Sequence, residues 1–161
     1  ALFPMMAGAG ITDQTLARFV GEWNMDLTAH EESFAEHGGP GSGTMICAWG
    51  LMQAWVDCQM DARYEGFGDY GLKVVLYRLG ADGAIGAFVT NSWGGGRLYE
   101  GALNASGDLE FRDAWVDPNR KWQHQRTVYS FEHDGRIRFA IDVADDGVNY
   151  VPHSSGLYQP R

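Results

Sequence analysis

Three residues that can hold or move a proton fall close together past the middle of the chain: Asp113, His124 and Arg126. They flank Asp117-Pro118-Asn119-Arg120, a stretch with strong turn chemistry, Asp in first position and Pro in second. A turn centred there closes a hairpin in which Trp115 faces Trp122, Asp113 faces His124 and Phe111 faces Arg126. Strand side chains alternate with period two, so these six share one face. A carboxylate opposite an imidazole fixes its tautomer and raises its basicity, which leaves the other ring nitrogen to exchange a proton with a substrate. The guanidinium would hold an anion or a developing enolate. The same three side chains also suit a satisfied structural network, or a solvated cluster at an open barrel end.

The elements that must position this trio are almost all strands. Residues 12–20 are expected to form one short helix, capped by Thr12, ended by Gly21, with Leu16, Phe19 and Val20 as its apolar stripe. Residues 1–10 form an N-terminal arm ahead of it. After Gly21 the pattern turns to period two: Trp23, Met25, Leu27 and Ala29 alternate with polar residues. Residues 44–64 make a hairpin about Met52-Gln53, with Met45 facing Met60, Cys47 facing Cys58 and Trp49 facing Val56. Turn signals then recur, among them Asp82-Gly83, Asp134-Gly135 and Asp146-Gly147. Asp-Gly favours hairpins because glycine accepts positive φ. Roughly ten strands spaced about 8–12 residues apart predict a single all-β domain over 1–161, an up-and-down antiparallel barrel.

Turn parity carries the inner face around that barrel. It places Val128 opposite Ile141, Ser130 opposite Phe139 and Tyr150 opposite Val143, and it puts Leu72, Val74 and Leu76 on a face with Val89, Asn91 and Trp93. The expected catalytic set is therefore His124, Asp113, Arg126 and Tyr150. The expected ligand contacts are Trp23, Met25, Trp49, Asn91, Phe111, Trp115 and Trp122. His153 is expected to point outward.

Gly21-Glu22-Trp23 after a short helix resembles the Gly-x-Trp opening of lipocalin-like proteins. With Trp49-x-Leu51, Glu65-Gly66-Phe67-Gly68-x-Tyr70-Gly71 and the Asp-rich strand pairs, the pattern over residues 12–160 resembles a bacterial lipocalin-like family of unknown function. The resemblance implies a calycin-type barrel around a ligand cavity, and no particular reaction. Met52-Gln53 stands where that family tends to have paired glycines. The glycine-rich haem signature of nitrobindin-like barrels is missing, so no haem and no other cofactor is expected.

Composition narrows the partners. Twenty-one acidic against twelve basic residues give a net charge of −9, which argues against nucleic acid and anionic membranes. No run approaches a membrane span of ~20 apolar residues. Cys47 and Cys58 make no metal pattern, and with a cytoplasmic location as the default they are expected to be free core thiols. The His30, Glu31, Glu32, Glu36, His37 cluster is expected to be a solvated lid loop, with no metal. Six tryptophans and seven tyrosines suit a pocket for a small hydrophobic or aromatic molecule. The expected function is cofactor-independent acid–base chemistry of isomerase, lyase or cyclase type on that molecule. The alternative is a non-catalytic carrier or sensor of it. A third reading is an interaction protein, a homodimer formed through Met52, Trp55 and the glycine-rich rim.

Overall fold

β1 (Gly21–Ala29) shows why this chain forms sheet: Trp23, Met25, Leu27 and Ala29 are buried while Glu22, Asn24, Asp26 and Thr28 between them are exposed. The computed structural model describes residues 11–31, 33, 37–80, 82–114 and 121–161. After α1 (Ile11–Ala17) come β1, β2 (Gly39–Trp49), β3 (Trp55–Tyr64), β4 (Gly68–Arg78) and β5 (Ile85–Asn91). β6 (Gly96–Leu103), β7 (Leu109–Ala114), β8 (His124–Phe131), β9 (Ile137–Ala144) and β10 (Val151–Pro160) complete the chain. Each strand pairs antiparallel with the next, and β10 returns to β1, so the sheet is a closed ten-strand barrel. The arm over residues 1–10 lies outside the described residues.

The helix closes one end. Leu16 and Phe19 are buried among the core side chains, and Phe19 packs edge-on against Tyr129 and Phe131 at 5.3 and 5.5 Å. The Trp23 indole Nε1 donates to the Phe19 carbonyl at 2.8 Å, and Arg78 of β4 pairs with Asp13 of the helix at 2.6 Å. The most deeply buried side chains, Leu16, Val56, Ile85, Leu109 and Ile137, gather at this end. Gly156 in β10 is required by close approach: a Cβ there would stand 2.5 Å from the Phe139 ring.

The β2–β3 hairpin has the expected register, with Met45 opposite Met60, Cys47 opposite Cys58 and Trp49 opposite Val56. At its tip Met52 and Gln53 both adopt positive φ, 51° and 57°, and Met52 is 92% exposed. In β4 and β5 the faces also match, Leu72 opposite Asn91 and Val74 opposite Val89. The cysteines differ from expectation: Cys47 and Cys58 are joined as a disulfide across the two strands, not left as free thiols.

β8 differs too. Phe111 faces Thr127, Asp113 faces Gln125 and Ala114 faces His124, one residue away from the expected pairing. On the other side Thr127 faces Ile141 and Tyr129 faces Phe139, again one residue away. There the turn is longer than a two-residue one. Glu132 N donates to Arg136 O at 2.9 Å, Gly135 N donates to Glu132 O at 3.1 Å, and Gly135 sits at φ 85°. Asp134-Gly135 thus belongs to a three-residue loop, with the glycine in the left-handed position of a bulge. The two shifts cancel for β9 and invert β8 alone. Val143 faces Val151 in place of Tyr150, and β10 carries a bulge between Pro152 and Ser154.

Removing the cross-strand bridge should cost about 2–3 kcal/mol, the loop-closure value for a link of this span. Urea unfolding of the Cys47→Ala, Cys58→Ala double variant measures that loss. Two alkylated cysteines in the unreduced native protein would show that the bridge is not there.

Candidate ligand cavity

Opposite the helix the barrel is not filled. A cavity of about 360 Å³ opens at the end formed by the β3–β4 and β5–β6 turns and the start of β10. That is at the small end of the range for ligand pockets. Its walls are apolar in the middle, with Leu72, Val74, Val89, Phe111, Phe139 and Ile141. Tyr64, Tyr70, Tyr99, Tyr129 and Tyr158, from five different strands, also face into it. Gln125, Thr127, His153 and Ser154 add polar atoms on the β8 and β10 side.

The phenols form one connected set. Tyr158 hydrogen-bonds to Tyr129, and their rings lie 6.5 Å apart. Burial pushes Tyr64 and Tyr129 up to about 12, with Tyr70 and Tyr99 respectively adding to the effect. Tyr158 is pushed up further by burial, then by Tyr129 and Tyr64; Tyr70 is raised by burial and by Tyr99. All are therefore neutral hydroxyls at physiological pH.

Trp93 stands at the mouth, 58% exposed, edge-on to Phe67 at 5.0 Å and tilted against Tyr70 at 5.1 Å. The Asn91 carboxamide holds its loop, because Oδ1 accepts from Trp93 N and Gly95 N at 3.0 and 3.1 Å. Arg97 and Asp113 also sit near the mouth. The Arg97 Nε pairs with Asp113 Oδ2, and its Nη2 donates to the Ala114 carbonyl at 3.3 Å.

The expected catalytic set is divided by the register of β8. Asp113 lies on the face of Phe111, Thr127 and Tyr129, and faces Gln125. His124 and Arg126 alternate with Gln125 and Thr127 and so lie on the outer face. Arg126 pairs with Asp142 at 2.7 Å and stacks over the Tyr150 ring at 4.7 Å. Tyr150 is thus next to Arg126, as expected, but outside the barrel. The His124 ring borders Gly147, where a Cβ would stand 3.1 Å away. The Asp113–His124 dyad is not assembled.

Among the expected ligand contacts, Asn91 and Phe111 line the cavity. Trp23 and Met25 are core residues, and Trp49 packs against that core. Trp122 is half-buried, with Lys121 Nζ 4.7 Å from its ring. Trp115 lies outside the described residues, as do Glu32, Glu36 and the turn 117–120.

His153 is the residue that parity missed. The β10 bulge lets it line the cavity beside Ser154, with its Nδ1 3.3 Å from Ser154 Oγ. Burial, reinforced by His30, lowers its pKa below the ordinary histidine value, which keeps it neutral at pH 7. His30 itself reaches Ser155 Oγ at 3.1 Å. The only sequence signal for the bulge was the Pro152-His153 step beside a ladder, which Pro cannot enter as a donor.

No family model matches the chain, and no curated protein matches it. Solved structures do match. One of them is Rv2717c from M. tuberculosis, with TM-score 0.71 and 12% sequence identity, over 96% of this chain and 99% of that one. At that identity the likeness is one of fold. Among the described residues, no helix is long and apolar enough to cross a membrane.

The raised phenols make a sign-specific expectation. Below about pH 10 they are protonated whether folded or unfolded; between 10 and about 12 only the folded chain keeps its protons on Tyr64 and Tyr129. Ionisation then favours unfolding, so stability falls as pH rises through that window. Urea midpoints at intervals from pH 9 to 12 should drop more steeply for the parent than for the Tyr64→Phe, Tyr129→Phe double variant. Equal slopes would count against burial of these hydroxyls.

Proposed function

We propose that this chain is a lipocalin-like binding protein that takes up one small, largely apolar aromatic molecule through the open end of the barrel, as a carrier or sensor. The observation that supports it is the cavity itself: about 360 Å³, apolar in the middle, ringed by hydroxyls, and backed by a helix-closed core. Such a shape removes a ligand's apolar surface from water while leaving a few polar atoms to orient it. Binding is favoured over acid–base catalysis by Asp113 and His124 because those residues lie on opposite faces of the sheet. A bridged Cys47–Cys58 pair fits an oxidising environment better than the cytoplasm, where thiols are kept reduced.

The neutral dye phenylnaphthylamine, which fluoresces in apolar surroundings, tests this. It should saturate at one dye per chain. Val89→Trp, which places an indole inside the cavity wall, should weaken that binding about ten-fold or more, with the strand signal in circular dichroism retained. Dye binding that does not saturate, or that is equal in the variant, would sink the proposal.

A further inference from the structure

The chemical class of the ligand can be argued from what the cavity offers and what it withholds. It offers hydroxyls. Tyr64, Tyr70, Tyr99, Tyr129 and Tyr158 come from β3, β4, β6, β8 and β10, so they reach the cavity from around the barrel and not from one wall. A phenol turns its hydrogen about the C–O bond and both donates and accepts. Tyr129 and Tyr158 are hydrogen-bonded to each other, which occupies one O–H of the pair and leaves the other to give. Phe111, Phe139 and Tyr158 stand edge-on or tilted about Tyr129, with ring centroids 6.3, 6.3 and 6.5 Å away, so the deep wall is aromatic.

What the cavity withholds is positive charge. Among the described residues, no lysine or arginine lines it. Arg97, a cation at the mouth, is engaged by Asp113 and by the Ala114 carbonyl. A ligand carboxylate moved from water to such a wall would lose its hydration without gaining a countercharge, which is costly. An uncharged carbonyl oxygen asks only for a hydrogen-bond donor. A bare hydrocarbon would leave hydroxyls facing it with worse partners than water supplies.

Resting on the binding proposal above, we infer that the ligand is a neutral, planar polycyclic aromatic compound carrying a carbonyl-type acceptor oxygen, an aromatic ketone or quinone, whose oxygen accepts from a hydroxyl of the Tyr129–Tyr158 pair. The rings pack against Phe111 and Phe139, and the oxygen replaces water at the hydroxyls. The elevated tyrosine pKa values agree with this, since they keep the donors protonated.

Fluorene, fluorenone and fluorene carboxylate share one ring frame and differ only in the group tested. Displacement of phenylnaphthylamine gives each affinity. Fluorenone should bind about ten-fold tighter than fluorene, and tighter than the carboxylate. In the Tyr129→Phe, Tyr158→Phe double variant the fluorenone advantage should fall to about two-fold or less while dye affinity holds, which also shows that the variant is folded. Should that pair fail to fold, Tyr129→Phe and Tyr158→Phe are measured singly, and the fluorenone advantage should fall in at least one of them. Fluorene equal to fluorenone, the carboxylate tightest, or an advantage unchanged in the folded tyrosine variants would each overturn the inference. If the dye binds and fluorenone shows no advantage, only the ligand class falls. If the dye itself does not bind, the binding proposal falls with it.

Discussion

Pairing of β10 with β1 removes the free edges of the sheet, and that closure is the constraint on which the rest depends. An open edge would let a strand slip or shed a residue into solvent. In a closed barrel each strand residue faces either the interior or water, and neighbours in the ladder must agree. Side chains are therefore sorted by register alone. One residue of slip moves an entire strand's chemistry through the wall. β8 is the case in point: Gln125, Thr127 and Tyr129 face inward, and His124 and Arg126 are outside because they are their odd-step neighbours.

The interior so defined is not uniform along the barrel axis. At the helix end Leu16 and Phe19 complete a packed core with Val56, Ile85, Leu109 and Ile137, and the Trp23 indole there is satisfied by the Phe19 carbonyl. At the other end aromatic rings bring hydroxyls with them. Tyrosine is suited to that gradient, since its ring packs with Phe139 and Phe111 while its oxygen seeks a partner. Asn91 performs a structural task in the same region by bonding to its own loop, and so sets where Trp93 stands at the mouth. The Cys47–Cys58 bridge links adjacent strands of the wall and adds to the pairing that keeps this cup in shape.

Much of the fold was legible in the residues. Period-two alternation in β1 and β3, and the pairing of Met45 with Met60 and Cys47 with Cys58, follow from apolar pattern and a turn of known length. The barrel class follows from the recurrence of short turns. The site was less legible, because its placement depended on a sum of turn lengths. Asp134-Gly135 has the sequence of a two-residue turn yet takes part in a three-residue loop, and the hydrogen bonds that decide between the two are tertiary consequences, not local propensities. The offset of β7 against β8 had the same effect from the other side, so β9 came out correctly while the strand between was inverted. His153 was hidden by a bulge, which adds one residue without an apolar signature. Tyr64, Tyr70, Tyr99, Tyr129 and Tyr158 were legible as strand aromatics but not as one cluster, because five strands contribute to it and only the closed topology brings them together.

The charge distribution follows from the same geometry. Of the trio that chemistry would single out, Arg126 on the outer face meets countercharge in Asp142, with Tyr150 stacked on it. The inward member, Asp113, is a carboxylate near a mouth lined by rings, and it is tolerated because Arg97 from the neighbouring β6 lies alongside it. Removing either partner alone would leave the other charge half-buried, which is the expensive arrangement. Among the described residues, the other polar groups of the wall are hydroxyls, the Asn91 and Gln125 amides and a neutral imidazole. Dehydrating these costs far less than dehydrating an ion, provided each finds a hydrogen bond. A barrel interior built this way can remain open without requiring a charged occupant, and its selectivity then lies in where the hydroxyl hydrogens can point.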